Sequence, residues 1–245
     1  MAIALNPALD PSSMSEEYAA HGRLQIRDFF TEETAESIHK SLYNLPWYLA
    51  FNDGDQVREL TPEQLQRLSP QQRTEIQQRV YQNAQTRYQF LYNHYPLFAE
   101  YFRRDGQGMD FFRIYEFINS PKMLAFFREL TGIDDICWAD GHATLFQAGH
   151  FLKFHTDEKP EDQRVAAYVL SFSKDWGRDW GGLLQFWDKN FDVEKAYRPV
   201  FNALNIFTVP ADHSVSVIAP YCPGQRFSIT GWLRADQPPG LIKQR

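Results

Sequence analysis

The sequence predicts an α+β or mainly β fold, in which a sandwich, jelly roll or barrel follows a helical first half. Two observations support this prediction. Helix caps and helix-period patterns dominate before Gly132, whereas short β-branched and aromatic segments dominate after it. Hydrophobic residues make up 43% of the 245 residues, which is enough apolar surface for a packed core.

The first half is predicted to be helical because it carries caps and apolar stripes. Thr31 can cap a helix through TEETAESIHKSLY, whose first turn is acidic. Residues 61–98 are predicted to be rich in helix, with Ser69 as a cap ahead of an apolar stripe of helical period. Ser120 and Gly132 bound a further helix.

The second half is predicted to consist of short strands with no helices between them. Turn residues separate these segments, and a succession of this kind is typical of sandwiches, jelly rolls and barrels. The segments are ICWAD, HATLFQ, HFLKFHTD, RVAAYVLSFS, GGLLQFWD, NALNIFTV, SVSVIAP and RFSITGWLRA.

Composition and charge argue against several classes of protein. The net charge is −6 without a long run of Lys or Arg, which argues against a dedicated binder of nucleic acid or anionic membranes. The two cysteines form no CxxC pair, so neither a disulfide framework nor a thiolate metal site is expected. No stretch is typical of a secretory signal or a membrane span, and the predicted location is the cytoplasm. The sequence predicts no particular oligomeric state.

The stretch KFHTDE, residues 153–158, places two metal-binding side chains on one predicted strand. Side chains at i and i+2 of a strand point to the same face, so His155 and Asp157 can converge on one ion while Thr156 points away. A second histidine would complete the facial triad of non-haem Fe(II) oxygenases. An HxD pattern alone is weak evidence, because three-residue patterns occur by chance.

His213 is the best third ligand among the seven histidines. It comes just before a predicted strand of the β half, whereas three other histidines belong to the first half. On a regular strand His150 would face away from His155. His142 is predicted to lie in a turn or at a rim.

Arg226 lies on the apolar, strand-like segment RFSITGW, where a solvated charge has no obvious purpose. A buried guanidinium needs an anionic partner, and its fork matches a carboxylate. Ser228 shares the face of Arg226 and can donate a second hydrogen bond to the same anion. The alternative is a last-strand arginine that extends its charged end into solvent. The accompanying triad favours the carboxylate interpretation.

The order HTD, His213 and RFSITGW resembles the 2-oxoglutarate and Fe(II)-dependent oxygenases of the prolyl-hydroxylase type. The similarity covers about residues 142–235, and the R-x-S-x-S/T-G-W ending is most similar to the Ofd1/Tpa1-like branch. It implies a double-stranded β-helix, or jelly roll, with helices packed on one sheet. It also implies Fe(II) at His155, Asp157 and His213, 2-oxoglutarate and O2 as cosubstrates, and ascorbate as a further candidate cofactor.

The resemblance also assigns a cosubstrate pocket. Arg226, helped by Ser228, would bind the distal carboxylate of 2-oxoglutarate, and Leu152 matches an apolar residue of that pocket. Relatives often have Tyr at the positions of Phe146 and Ser171, both near the cosubstrate. These two departures predict altered contacts to 2-oxoglutarate without loss of the triad or of Arg226.

The helix patterns and the resemblance together divide the chain into four parts. Residues 1–22 are predicted to be a flexible lead-in and residues 238–245 a tail. Residues 23–135 would form a helical support region, and residues 136–237 the double-stranded β-helix catalytic core. The support region and the core are expected to be one composite domain.

The predicted activity is hydroxylation of a C–H bond, most directly in a prolyl residue of a protein or peptide. One alternative is hydroxylation of a free amino acid or small natural product at the same iron site. Another is a non-catalytic jelly-roll binding module, although such a module would be expected to lose a ligand or Arg226. A cupin-like metal protein fits less well, because cupin sites gather three histidines and a glutamate.

Overall fold

The computed structural model describes residues 2–243, and in this part of the chain it contains seven α-helices and thirteen strands. A short 3-10 helix spans Pro160–Asp162. The α-helices are α1 Pro11–His21, α2 Glu32–Tyr43, α3 Pro62–Arg67, α4 Pro70–Ala84, α5 Leu97–Arg103, α6 Phe112–Ile118 and α7 Pro121–Thr131.

The strands lie in both halves of the chain. The first half contains β1 Arg23–Arg27, β2 Tyr48–Asp53, β3 Gln56–Leu60 and β4 Phe90–Tyr95. The second half contains β5 Trp138–Ala139, β6 His142–Phe146, β7 Phe151–His155, β8 Arg164–Ser171, β9 Leu184–Trp187, β10 Val193–Tyr197, β11 Ala203–Thr208, β12 His213–Val215 and β13 Arg226–Arg234.

The predicted caps begin and end the predicted helices. Thr31 accepts a hydrogen bond from a backbone N–H of the first turn of α2, and Ser120 does the same for α7. Ser69 forms a full capping box with Gln72 at the start of α4. Gly132 ends α7 with φ 69°, a left-handed conformation that glycine adopts without steric penalty.

The strands form one antiparallel sheet that folds over as two arms. The first arm has the order β1-β11-β8-β13-β6, and the second has the order β7-β12-β9-β10. Strand β4 joins the arms, because residues 93–95 pair with β6 and residues 90–91 pair with β7. The result is a nearly closed antiparallel barrel of the jelly-roll type, which confirms the predicted fold class.

The largest hydrophobic core lies between the helices and the first arm. Fully burying an aliphatic or aromatic side chain stabilises a fold by roughly 1.5–3 kcal/mol, so this layer fixes the helices on the sheet. The prediction that helices pack on one sheet is therefore confirmed. Side chains no more than 2% exposed in this core include Ile38, Ile114 and Phe127 from helices and Leu170, Leu204 and Ile229 from strands.

The beginning of the chain is more regular than predicted. Residues 11–21 of the predicted lead-in form α1, whose side-chain cap is Asp10. Tyr18 of this helix is 2% exposed and belongs to the main core. The last two residues of the predicted tail, 244–245, lie outside the described residues.

The prediction that residues 61–98 are rich in helix is wrong in its last part. Helix α4 ends at Ala84, and FLYNHY forms β4. Strands β2, β6 and β7 all supply ladder partners to β4, and this pairing outweighs the local helical pattern. Within residues 2–243 we find no helix with the length and apolarity needed to cross a bilayer.

Candidate metal centre

His155 and His213 lie directly opposite each other on neighbouring strands. Strands β7 and β12 pair with His155 in register with His213, and the two ring centroids are 4.2 Å apart. Cross-strand partners share one face of a sheet, and both side chains line the cavity between the two arms. His213 is thus the first residue of β12, rather than a residue ahead of the strand as predicted.

Asp157 follows the end of β7 and places its carboxylate between the two imidazoles. Its Oδ1 lies 3.4 Å from Nε2 of His155, and its Oδ2 lies 3.4 Å from Nε2 of His213. One ligand atom from each residue lies within 4.8 Å of the others. Burial opposes ionisation of this carboxyl, but the His155 hydrogen bond and the two imidazoles hold the pKa of Asp157 below its usual value.

Backbone carbonyls orient both imidazoles. Nδ1 of His155 donates to the carbonyl of Lys153 at 2.9 Å, and Nδ1 of His213 donates to that of Ala211 at 2.8 Å. A carbonyl oxygen can only accept, so both Nδ1 atoms carry a proton, and in the neutral imidazole each Nε2 has a lone pair for a metal. Two imidazole nitrogens and one carboxylate match the Fe(II) facial triad, so the residues present fit that metal.

Arg226 lines the same cavity and is 4% exposed. Its Nε has no hydrogen-bond partner among the described residues, and its guanidinium lies 5.1 Å from the centre of the Phe146 ring. Burial lowers the pKa of Arg226 to about 10, which still leaves it charged at neutral pH. A buried cation of this kind fits an anionic ligand.

The other predicted pocket residues lie at two depths. Leu152 and Phe146 line the cavity. Ser228 is fully buried, and its Oγ accepts a long hydrogen bond of 3.5 Å from Nη1 of Arg226. Ser171, in register with Ser228 on the next strand, is 2% exposed with its Oγ unpartnered. Phe146 and Leu152 therefore contact the cavity directly, whereas the two serines lie behind its wall.

Several residues of the cavity wall were not predicted from the sequence. Thr230 and Trp232 continue the i+2 alternation from Arg226, so this signal was present in the sequence. Tyr88 and Tyr92 come from the segment predicted as helix and carried no such signal. His142, predicted at a turn or rim, is the first residue of β6 and also lines the cavity.

The cavity measures about 280 Å³ and is closed mainly by apolar and aromatic side chains. The three candidate metal ligands come from β7, β12 and the segment directly after β7, whereas Arg226 comes from β13 of the first arm. Such a chamber, apolar with a few convergent polar groups, is the usual form of a small-molecule site.

Residues 141–234 match the family model described as the 2OG-Fe(II) oxygenase superfamily. By this match, the segment is similar to a 2OG-Fe(II) oxygenase superfamily domain. The family implies Fe(II) and 2-oxoglutarate as cofactor and cosubstrate, and all three residues of the metal-binding cluster lie within the matched range. No curated protein matches the chain significantly.

Three solved structures share the fold of this chain at low sequence identity. A Pseudomonas putida prolyl-4-hydroxylase has a TM-score of 0.58 at 17% identity, covering 93% of this chain and 100% of that one. An oxidoreductase of the 2OG-Fe(II) oxygenase family from Burkholderia pseudomallei has a TM-score of 0.58 at 9% identity, with 95% of each chain covered. A Trichoplax adhaerens prolyl hydroxylase, solved with a peptide fragment of the hypoxia inducible factor oxygen degradation domain, has a TM-score of 0.57 at 14% identity, covering 91% of this chain and 89% of that one.

Proposed function

We propose that this protein is a 2-oxoglutarate- and Fe(II)-dependent dioxygenase that hydroxylates a prolyl residue of a protein or peptide. The observation that carries the proposal is the shared cavity. One cavity contains both the cluster of His155, Asp157 and His213 and the buried, unpaired guanidinium of Arg226. A dicarboxylate can bridge these two groups, with one end at the metal and the other at the arginine.

Each residue has a separate task in the proposed reaction. When bound, Fe(II) with 2-oxoglutarate and O2 supplies the oxidation that converts a C–H bond to C–OH, with release of succinate and CO2. Arg226 binds the distal carboxylate and so orients the cosubstrate, and Ser228 supports the guanidinium from behind. Leu152 and Phe146 exclude water from the cosubstrate. The carbonyls of Lys153 and Ala211 keep the imidazoles in a metal-binding tautomer.

The prolyl substrate is supported by the family resemblance and by the names of two structural neighbours. One of those neighbours was solved with a peptide, and its likeness to this chain concerns the fold. Residues 136–237 are the proposed catalytic core, to which β4 adds Tyr92 as part of the cavity wall. The cytoplasm remains the predicted location, and ascorbate a candidate for maintaining reduced iron.

Anaerobic addition of Fe(II) and 2-oxoglutarate tests the cosubstrate site. We expect a weak visible charge-transfer band in the wild type, no band in His155→Ala, and a band in Arg226→Ala only at much higher 2-oxoglutarate concentration. His21 is exposed and is not among the residues that line the cavity, so His21→Ala serves as the matched control. Absence of the band at saturating cosubstrate would contradict the proposal.

Succinate release then tests the substrate class. Under O2 we expect peptides that contain proline to stimulate succinate release above the rate without substrate, with a mass increase of one oxygen on the peptide. Stimulation by free amino acids, with none by peptides, would favour a small-molecule hydroxylase at the same site. A charge-transfer band without any stimulated turnover would favour the binding-module alternative.

A further inference from the structure

A second cavity of about 280 Å³ adjoins the first and shares three lining residues with it, Tyr92, His142 and Trp232. It lies under the hairpin of β2 and β3, and we call it the wing cavity. These three side chains border both the wing cavity and the chamber that contains the candidate metal-binding cluster. A group bound in the wing cavity would therefore be a close neighbour of an atom that reacts at the metal.

The strand register explains why the hairpin lines this cavity. Ala50 of β2 is in register with Tyr92 on one side and with Glu59 on the other, so these three side chains share a face. Val57 is in register with Asn52 and lies on the same face as Glu59, two residues away. The hairpin thus extends the cavity-lining face of the barrel outward. Val57 remains 60% exposed, although it lies on a lining face.

The wing cavity is aromatic and acidic. Its aromatic rings come from Phe90, Tyr92, Phe98 and Trp232. The ring centroids of Phe90 and Tyr92 are 5.3 Å apart. Among the lining residues that the structure describes there is no Lys and no Arg. Aromatic faces attract cations, and attraction is strongest where a carboxylate lies close by.

Two carboxylates line the wing cavity, and they differ in their partners. Asp140 accepts a hydrogen bond from the backbone of Trp232 at 2.8 Å and contacts Arg234 at 3.4 Å, so its charge is already balanced. The Glu59 side chain is 48% exposed, and its only ion-pair contact among the described residues is His94. Glu59 is therefore the carboxylate that can attract a ligand.

His94 marks a polar position that the fold leaves incomplete. Its Nε2 lies 3.3 Å from Oε1 of Glu59, but the atom is buried without a hydrogen bond of acceptable geometry among the described residues. His94 is 7% exposed and lines the wing cavity. A buried polar atom without a partner is costly, and a donor group that binds beside Glu59 and reaches Nε2 of His94 would remove that cost.

We propose that the wing cavity binds a cationic side chain of the substrate, an ammonium or guanidinium group, adjacent to the residue that is hydroxylated. The proposal rests on the proposed function for its catalytic meaning, since it names the class of substrate that the same site accepts. The aromatic rings contact the alkyl stem and the charged group, and Glu59 pairs with the charge. The substrate is thus a peptide with a basic residue close to the hydroxylated one.

Direct binding tests this proposal without relying on turnover. The full-length protein is titrated at pH 8 with Nα-acetyl-lysine methylamide and, separately, with Nα-acetyl-norleucine methylamide, while methyl resonances of Ala50 and Val57 are followed by NMR. We expect the lysine probe to bind at least 10-fold more tightly than the norleucine probe and to shift both methyl signals. Equal affinities, or shifts elsewhere only, would overturn the proposal.

Glu59→Gln is the diagnostic variant, since it keeps the size of a half-exposed side chain and removes its charge. We expect it to abolish the preference for lysine over norleucine. Asp55→Asn removes a charge from the tip of the same hairpin, where the side chain is 98% exposed, and should preserve the preference. A preference that survives Glu59→Gln would also overturn the proposal.

Turnover separates this proposal from the proposed function. In peptides with one proline and Lys, norleucine or Glu beside it, we expect the Lys series to have the lowest KM for stimulated succinate release. A charge-transfer band and succinate release with equal KM across the series would refute the cation site alone. Loss of the band would refute the proposed function, while the lysine-probe titration would still decide the cation site.

Discussion

At one end of the main cavity the polar groups contact one another, whereas at the other end a guanidinium is buried with no anionic partner among residues 2–243. The ligand end consists of His155, Asp157 and His213, whose contacts of 3.4 Å join all three. The arginine end consists of Arg226 and Phe146, where the guanidinium contacts a ring face and one distant hydroxyl. The ligand end is preorganised by the fold, and the arginine end is completed by its ligand.

This difference has an energetic consequence. The ligand end costs the empty protein less, because a backbone carbonyl satisfies Nδ1 of each imidazole and the pKa of Asp157 is already lowered there. An unpaired buried charge destabilises the empty protein, and the free energy is recovered only when an anion binds. The arginine end should therefore couple cosubstrate binding to stability more strongly than the ligand end does.

Among the substitutions that test the contrast between the two ends, Arg226→Met should have the largest effect. We expect affinity for 2-oxoglutarate to fall on the order of 1000-fold, because truncating one side of a buried charge pair costs about 2–5 kcal/mol. The empty protein should be as stable as the wild type or more stable, since an apolar side chain replaces an unpaired charge. Anaerobic titration of the charge-transfer band and thermal unfolding without ligands measure the two effects.

Arg226→Lys is the matched control, because it retains a positive charge without the planar fork. Its affinity for 2-oxoglutarate should lie between those of the wild type and of Arg226→Met. If the melting temperature of empty Arg226→Met fell by several degrees, the guanidinium would have a structural partner, and the contrast between the two ends would be wrong.

His150, in the turn that follows Phe146, is a second buried base that can be compared with Arg226. Burial lowers the pKa of His150 to about 4, so this imidazole stays neutral where Arg226 stays charged. A base with a depressed folded pKa contributes stability above its unfolded pKa of about 6.5, and that contribution is lost as the pH falls toward 4. We expect a loss of about 3 kcal/mol in unfolding free energy from this group over that range.

Urea denaturation between pH 7 and pH 4 measures this loss. His150→Gln should flatten the pH dependence relative to the wild type, because the glutamine side chain does not titrate. Parallel slopes for wild type and His150→Gln would mean that the imidazole is protonated in the folded state as readily as in the unfolded state.

Lys153→Met tests the ligand end with the smallest expected effect. The Lys153 ammonium donates to the carbonyls of Ala84 at 2.6 Å and Arg87 at 2.7 Å, at the end of α4, whereas its own carbonyl holds His155. We expect unfolding free energy to fall by about 1 kcal/mol, with iron affinity changed less than about threefold, because the carbonyl remains. Urea denaturation and Fe(II) titration check both values, and a large fall in iron affinity would show that helix and ligand strand are coupled.

Local patterns in the sequence predicted the candidate metal ligands better than they predicted the residues of the cavity wall. The i+2 spacing of His155 and Asp157, and the apolar surroundings of Arg226, are properties of single strands and can be read without a fold. The register of His155 with His213 depends on pairing between segments far apart in the chain, so the sequence supported His213 only by elimination and by resemblance.

The largest error in secondary structure concerns β4. Its residues follow a helical stripe without an intervening Gly or Pro, so no local signal ended the predicted helix. The strand exists because it pairs with β2, β6 and β7, and it brings Tyr92 into both cavities. Contacts of this kind are tertiary, and single-residue propensities carry no information about them.

The pairing of β7 with β12 also bears on the order in which the molecule assembles. His155 and His213 are far apart in the chain, and β12 is a three-residue strand held between β7 and β9. Pairing β12 with β7 closes a long loop and forms few backbone hydrogen bonds. The free energy of this step is unfavourable until both neighbouring strands, β7 and β9, are in place. We expect the iron-binding geometry to form late in folding, so that metal capture distinguishes completed molecules from partly folded ones.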